Sequence, residues 1–409
     1  MRCRRDPTSD DAVSGVAPRH VFEPRSHDEC AEVFALARSE RLALAVVGGG
    51  TELGLGPPPS RLDAVVSSRG LDRVLEYAPS DQVIVVEAGI TLSSLQAVLA
   101  PHGQRLACDP PHPDTATMGG LLAANAFGPL RSRHGSLRDL LIGVSILRAD
   151  GTTVRGGGKV VKNVAGFDLP KLAVGSLGSL GMIATAAFRL HPAPEAVATL
   201  RFRRMTPRDV RLLTTAVRAA QVEPAAFVAI GAGDTFDVLL RFEGFAAGVA
   251  EQRNRAATLA APSGPPAEAL SPAEGRAAWR EHDAARAHGN ACVKVSTLPT
   301  SLESLASEVV PRLKAVMADA ATVLHPTLGL SFVAGDARDA VDFAAALASA
   351  RARVGRGPGS LVVHRAPAAM LGAIDVWGPL PGAFSTMKRV KEGFDPDGRM
   401  NPGRFVGGL

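Results

Sequence analysis

The stretch LALAVVGGGTELGLG, Leu42–Gly56, runs a short apolar segment straight into three consecutive glycines. Glycine gives up more backbone entropy on ordering than any other residue, so three in a row mark unusual φ values or a close backbone approach. Leu42–Val47 reads as a buried strand and the glycines as a loop at its carboxyl end. The loop lacks the fingerprint G-x-G-x-x-G, because position 53 is Leu, and no G-x-x-x-x-G-K-S/T occurs in the chain. Taken alone, Gly48-Gly49-Gly50-Thr51 reads first as a tight turn. It reads second as a nest of glycine N–H groups for an anion, with the Thr51 hydroxyl as a further donor.

Working outward, SHDECAEVFALARSE (26–40) sets Ser26 and Glu29 at capping-box spacing and Cys30, Val33, Phe34 and Ala37 at helical spacing, so helix, strand and glycine loop form one α/β unit. AVVSS (64–68) and VIVVEAG (83–89) read as buried strands, and TLSSLQAVLA as a helix capped by Thr91. In 139–157 two β-rich runs meet at Asp150-Gly151, a strong hairpin signal. A strand then ends at His191, and Pro192 and Pro194 break the chain. We expect domains at 1–194 and 195–384, with 385–409 returning to the first. In the second, TLRFRR, AAFVAIGAG and FDVLLRFEG look like strands and 206–221 and 301–319 like amphipathic helices, an antiparallel sheet backed by helices. Its Ala-rich middle, 244–290, carries APSGPPAEALSPAEG as a loop and no evident chemistry.

The 409 residues are 46% hydrophobic, 21% charged and only 4% aromatic, a globular composition with an aliphatic core. Much of the net charge of +5 sits in the start MRCRRDP and in scattered arginines, with no block of Lys and Arg interleaved with aromatics, which argues against a nucleic-acid partner. Cys3, Cys30, Cys108 and Cys292 lie far apart, with no C-x-x-C pair, so iron–sulfur ligation in this chain is not expected and a cytoplasmic location is. The N-terminus shows no apolar signal-peptide core, and the longest apolar run, Leu177–Phe188, is too short to span a bilayer. Direct membrane insertion is not expected; contact with the inner membrane face would come through partners.

Two further clusters of small residues change the weight of the glycine loop. CDPPHPDTATMGGLLAANAFGP (108–129) brings Thr115, Thr117, Gly119, Gly120 and Asn125 together, and GGKVVKNVAGFDLPKLAVGSLGSLGMIATAAF (157–188) adds Lys162 and Asp168. Three such clusters in one domain suit a long, flat cofactor with a pyrophosphate.

Segment 42–192 resembles the FAD-binding domain of the vanillyl-alcohol oxidase type, also called the PCMH type. CDPPHPDTATMGG, KNVAGFDLPKL, GSLGSLG and the tail FDPDGRMNPGRF (394–405) are similar to the FAD-binding subunits of glycolate oxidases. The resemblance implies an α+β fold: a two-subdomain PCMH-type FAD-binding domain followed by an α+β cap with an antiparallel sheet. It implies FAD. Val47, Gly48, Gly49, Gly50, Thr51, Glu52 and Leu53 match the pyrophosphate loop. Pro110, Thr115, Met118, Gly119, Gly120, Asn125 and Gly128 match the segment passing pyrophosphate and flavin. Lys162, Asp168, Met182 and Ile183 match positions beside the cofactor, and NPGRF the element that packs back on the FAD domain. The partners implied are a larger FAD-containing glycolate oxidase subunit and an iron–sulfur subunit, and the substrate a small 2-hydroxy acid such as glycolate.

Autonomous relatives carry a His-rich metal site in the cap and a GEHG-like motif; here the corresponding region reads LVVHRAPAAMLGAIDVWGP, and no metal is expected. Oxidising a hydroxy acid needs a base and a cation for the carboxylate. His364 and Arg365 are the candidates, with a structural His–Arg pair or a subunit contact as the stronger reading. His282 and His288 are expected to be solvated or capping. Covalent flavin attachment would need His or Cys; the glycine loop has neither, and with Cys108 and His134 read as packing or polar contacts, non-covalent FAD is expected. Arg131, Arg133, His134 and Arg138 read as a solvated basic loop, with phosphate neutralisation or an electron-transfer surface as the alternative. A stand-alone FAD oxidoreductase of another hydroxy acid or alcohol, and a flavin-fold scaffold, are the competing functions.

Overall fold

A computed structural model describes residues 3–159, 167–259 and 266–409. The chain folds as two compact units: residues up to 128 with 135–193 and 379–409, and residues 129–134 with 194–378.

The first unit holds two layers of different design. In the glycine-loop layer, strand Ala64–Ser67 lies between His20–Phe22 and Leu44–Val47, parallel to both, and Arg4–Arg5 extends the sheet antiparallel. Parallel strands need a crossover, and helix His27–Ser39 supplies it. Its buried stripe Cys30, Val33, Phe34 and Ala37 packs on Phe22, Leu44, Ala64 and Val66. The Ser26 hydroxyl caps the Glu29 N–H, but the Glu29 carboxylate accepts from the Arg25 N–H, so the expected box closes one residue early.

The other layer is a five-stranded antiparallel sheet in the order Val74–Ala78, Val83–Glu87, Met182–Arg189, Leu141–Leu147, Thr153–Gly157. Asp150 Oδ1 accepts the Thr152 N–H at 2.9 Å, and Gly151 takes φ +85° in the turn joining the last two. Helices Leu92–Leu99 and Met118–Ala124 cover one face with Leu95, Leu99, Leu121 and Leu122 against Ile84, Val86, Ile146 and Phe188. After helix Phe384–Phe394 the chain runs alongside Leu44: the Leu44 N–H donates to the Arg399 carbonyl and the Asn401 N–H to the Leu44 carbonyl.

The segment before His20 is tied down by Arg5, whose guanidinium makes a bidentate pair with Asp11 and a further bond to Glu23, each at 2.7 Å. Those Arg5 bonds hold the Asp11 carboxyl far below the usual carboxylate range. A depressed folded pKa contributes stability that is full above the unfolded pKa of about 4 and lost only as pH falls through the lower folded value. Asp11→Asn is therefore expected to loosen the segment at neutral pH by about 1 kcal/mol, measured as faster limited proteolysis near Arg4 and Arg5. Equal cleavage of variant and wild type at pH 7 would refute it.

The second unit is built on an eight-stranded antiparallel sheet in the order Glu268–Leu270, Ala196–Met205, Phe236–Gly244, Ala226–Gly231, Met317–His325, Leu330–Ala337, Ala291–Ser296, Ser360–Arg365. Alternation sends Phe227, Ala229, Val238 and Leu240 into a core shared with helices Pro207–Ala219, Ala246–Ala257 and Ala340–Val354. Val228 and Leu239 point the other way, onto Ala278 of helix Pro272–Ala287. Two sequence expectations are corrected. The helix expected at 301–319 runs only through Leu302–Lys314, with a π turn at Leu305–Val309, and Met317 already begins a strand. His282 is not solvated: it is 1% exposed, under the sheet face that its helix covers.

Candidate functional site

The glycine loop continues strand Leu44–Val47 past its last paired residue, and its conformation is dictated by close approach. A Cβ on Gly48 would sit 2.0 Å from Thr117 Oγ1, and one on Gly49 1.8 Å from the Thr115 carbonyl oxygen. Gly50 alone needs glycine for its dihedral, φ +78°.

Arg69 fixes which way the loop's peptides face. Its Nε donates to the Gly48 carbonyl at 3.0 Å and its Nη2 to the Gly49 carbonyl at 3.2 Å. Across a trans peptide the next N–H points opposite to the carbonyl, so the Gly49 and Gly50 N–H groups face away from Arg69. Among the described residues nothing accepts from the N–H groups of Gly49, Gly50 or Thr51. The side they face is a cleft of about 790 Å³, open mouth included.

The neighbouring helix Met118–Ala124 cannot supply donors there. The Met118 N–H is spent on the Ile90 carbonyl, that of Gly119 on Ala88, and that of Gly120 on the Thr117 hydroxyl. It contributes shape instead, with Gly119, Gly120, Ala123 and Ala124 along one flank of the cleft. Against the end of that helix lies the 177–181 loop. Gly175 and Leu177 donate to the carbonyls of Leu122 and Ala123, and Leu177, Gly178 and Gly181 all take positive φ. Asn401 and Arg404 from the C-terminal segment complete the lining.

The residues singled out from sequence separate into three groups. Val47, Gly48, Gly49, Gly50, Thr51, Glu52, Leu53, Gly119, Gly120 and Ile183 line this cleft together. Others stand just behind it. Met182 is fully buried with Phe34, Leu44 and Met400, because strand alternation turns it away from Ile183. Met118 is fully buried in the core of the five-stranded layer, Thr115 backs the loop through its carbonyl, and Asn125 ends the helix in the left-handed region at φ +51°. A third group is away from the lining. Pro110 is buried outside it, and Gly128 is glycine because a Cβ would fall 1.7 Å from the Asp109 carbonyl oxygen. Asp168 caps the short helix Leu169–Ala173 and pairs with Lys171 at 2.7 Å. Lys162 lies outside the described residues. Sequence reasoning missed Ser68, Ala123, Ala124, Asn401 and Arg404 as lining; the last two were visible in NPGRF only as a packing element.

The arrangement fits a dinucleotide. Unspent loop N–H groups suit a pyrophosphate, and alanine, glycine and Ile183 leave room for a flat ring. Residues 18–157 match the family described as FAD binding domain. The chain carries an FAD-binding domain. The matched span contains the glycine loop and the Gly119–Ala124 flank, while the 177–181 loop and Asn401 add to the same cleft from beyond it. The chain is 39% identical over 168 residues to the Escherichia coli glycolate oxidase subunit GlcE, covering 40% of this chain and 47% of that protein. It is 34% identical over 184 residues both to a D-lactate dehydrogenase of Archaeoglobus fulgidus, covering 43% of this chain and 41% of that one, and to the Bacillus subtilis glycolate oxidase subunit GlcD, covering 45% and 39%. The chain thus spans less than half the length of these curated relatives. Among solved structures, alkyldihydroxyacetonephosphate synthase superposes with TM-score 0.72 at 18% identity, over 95% of this chain and 78% of that one. p-Cresol methylhydroxylase does so with TM-score 0.72 at 14% identity, over 95% and 88%. The fold is the PCMH type, with helices and antiparallel sheets in both units.

In that second unit the Arg365 guanidinium donates to the carbonyls of Ala287, His288 and Gly289, closing the end of helix Pro272–Ala287. His364 packs edge-on against Phe332. Burial, with Arg286, Lys294 and Arg365 nearby, pushes the His364 pKa down to about 3, so the ring is neutral at physiological pH. His282 stacks edge-on with His325 at 5.7 Å, and Arg286 lies 4.1 Å over the Phe332 ring. Among the described residues no group of three or more His, Cys, Asp or Glu could hold a metal ion, and no helix is long and apolar enough to cross a membrane. Cys108, in the FAD-binding domain, is a free thiol that burial pushes above its usual pKa, which disfavours the nucleophilic thiolate.

Proposed function

We propose that this chain is the FAD-binding subunit of a glycolate oxidase complex, working with a larger FAD-containing subunit and an iron–sulfur subunit that takes the electrons onward. The glycine-loop cleft would hold FAD non-covalently, with the N–H groups of Gly49, Gly50 and Thr51 as donors for its pyrophosphate. When bound, it supplies the two-electron acceptor for oxidation of a 2-hydroxy acid to a 2-oxo acid. The observation that carries the reading is the set of unspent donors on a chain whose relatives include two glycolate oxidase subunits.

We place substrate oxidation mainly on the partner flavoprotein. Arg365 is engaged with three carbonyls, and His364, with a pKa near 3, is a poor acceptor for a hydroxyl proton. Both then serve the structure rather than the chemistry. The similarity to a D-lactate dehydrogenase favours a second reading, a flavoenzyme acting on its own on another 2-hydroxy acid.

One sample separates the two. The purified chain is expected to show an oxidised flavin spectrum that does not bleach on anaerobic addition of glycolate or D-lactate, and to release its flavin on acid precipitation. Bleaching at an enzymatic rate would give the chain its own active site and install the second reading. Flavin in the pellet would overturn non-covalent binding.

A further inference from the structure

Helix Phe384–Phe394 carries one cation in the interior, Lys391, 7% exposed. Its three N–H donors are all assigned: to the Asp395 carboxylate at 2.6 Å, the Ser179 carbonyl at 2.8 Å and the Met400 carbonyl at 2.8 Å. Asp395, 2% exposed, accepts the Arg399 and Met400 N–H groups with its two oxygens and so shapes the turn that delivers Asn401. Neither Lys391 nor Asp395 lines the cleft, but both carbonyls that Lys391 holds adjoin residues that do. Ser179 lies between Gly178 and Gly181, and Met400 precedes Asn401, whose Nδ2 donates to the Leu177 carbonyl.

A buried ion pair is a weak source of net stability, because desolvation offsets most of the attraction. It is an effective way to fix two segments against each other when both charges are fully hydrogen-bonded. The 177–181 loop needs such a fixture, since Leu177, Gly178 and Gly181 all sit at positive φ and no regular element spans them.

We propose that Lys391 is a positioning residue for bound FAD: through the carbonyls of Ser179 and Met400 it locks the 177–181 loop and Asn401 together as one wall of the cofactor cleft. The proposal rests on the glycine-loop cleft being the FAD site. It assigns a cofactor-shaping role to a side chain that is adjacent to that site without touching it.

The test uses the full chain and three variants, Lys391→Met, the neutralised pair K391M/D395N, and Gly49→Val as a control for the site. For each, FAD affinity is measured by fluorescence titration, the environment of the bound flavin by visible circular dichroism, and the thermal midpoint without FAD. K391M is expected to weaken FAD about 30-fold and alter the dichroism, as charge-assisted bonds to two wall segments are lost. In K391M/D395N no charge is left unpaired but one of the two N–H groups held by Asp395 loses its acceptor, so the midpoint recovers in part while affinity and dichroism do not. Should K391M fail to fold, the pair carries the measurement. Wild-type affinity and dichroism in the pair, whatever its midpoint, would overturn the positioning role. If G49V instead binds FAD as well as wild type, the site assignment fails, and the proposal with it.

Discussion

Gly49→Val is expected to yield a folded chain that purifies without flavin and binds added FAD at least about 100-fold more weakly than wild type, the loss of two hydrogen bonds to a charged phosphate. The substituent cannot be absorbed locally. Its Cβ would lie 1.8 Å from the Thr115 carbonyl oxygen and 2.7 Å from the Thr115 carbonyl carbon, and these are backbone atoms that cannot rotate aside. The loop must lift, which breaks the Arg69 bonds to the Gly48 and Gly49 carbonyls and frees the peptides whose N–H groups face the cleft. The strands beneath end at Val47 and Ser67, so the fold loses only the overpacking energy, about 1–3 kcal/mol. Gly50→Ala separates geometry from strain. Only Leu53 Cδ1 at 3.7 Å lies near its Cβ, and the cost is that of φ +78° for a non-glycine residue, about 1–2 kcal/mol. It should keep flavin with affinity lowered about tenfold. Equal flavin content in G49V and wild type, measured by absorbance after gel filtration, would remove the glycine loop from the site.

That contrast marks how much of the site the sequence disclosed. Three glycines after a strand announce special backbone, and Gly50 has the positive φ that justifies the announcement. Gly48 and Gly49 are glycine for another reason: the Thr115–Thr117 segment lies against them, a contact more than sixty residues away in the chain. Local pattern reports a residue's own dihedral preference and says nothing of the neighbour that forbids its Cβ. Strand alternation has the same limit. The sequence marks a strand that ends at His191, but which of Met182 and Ile183 faces the cleft is set by pairing with Leu141–Leu147 and Val83–Glu87. Where local preference misled, it was overridden by tertiary pairing. Ala318, Ala320 and Ala321 favour helix, yet Met317–His325 pairs along Leu330–Ala337. His282 was misread because its type suggests solvent, although Ala278, His282 and Arg286 at spacing of four mark one helix face, the face laid on the sheet.

Arg404 shows what a signal at the far end of the chain can hide, and its replacement by methionine should have the second large effect. The side chain is 3% exposed and donates to the Leu55 carbonyl at 2.6 Å, the Leu53 carbonyl at 2.8 Å and the Ser14 hydroxyl at 2.7 Å. The Ser14 hydroxyl itself donates to the Leu53 carbonyl at 2.9 Å, so Arg404 ties the N-terminal segment to the trailing end of the glycine loop. Burial pushes its pKa down to about 10, which still leaves it charged at neutral pH. Arg404→Met keeps the volume, takes the donor from the Leu55 carbonyl and leaves the Leu53 carbonyl with the Ser14 hydroxyl alone. Each buried carbonyl left unmatched costs about 1–3 kcal/mol, so a loss of about 3 kcal/mol is expected, roughly 6–12 °C in the thermal midpoint. Flavin should go with it, because Leu53 ends the loop and Arg404 itself lines the cleft. Arg404→Lys should recover part of the stability and little of the flavin, since one ammonium nitrogen on a shorter side chain cannot stand in for the two guanidinium nitrogens that reach Ser14 and the Leu53 and Leu55 carbonyls. Arg69 grips the same loop from the other side by the same kind of bond, but in solvent, where an arginine contributes about 1 kcal/mol or less. Arg69→Met should thus lower the midpoint by a few degrees at most while Arg404→Met removes the cofactor. If Arg404→Met kept its flavin and changed the midpoint as little as Arg69→Met, Arg404 would not set the position of the loop.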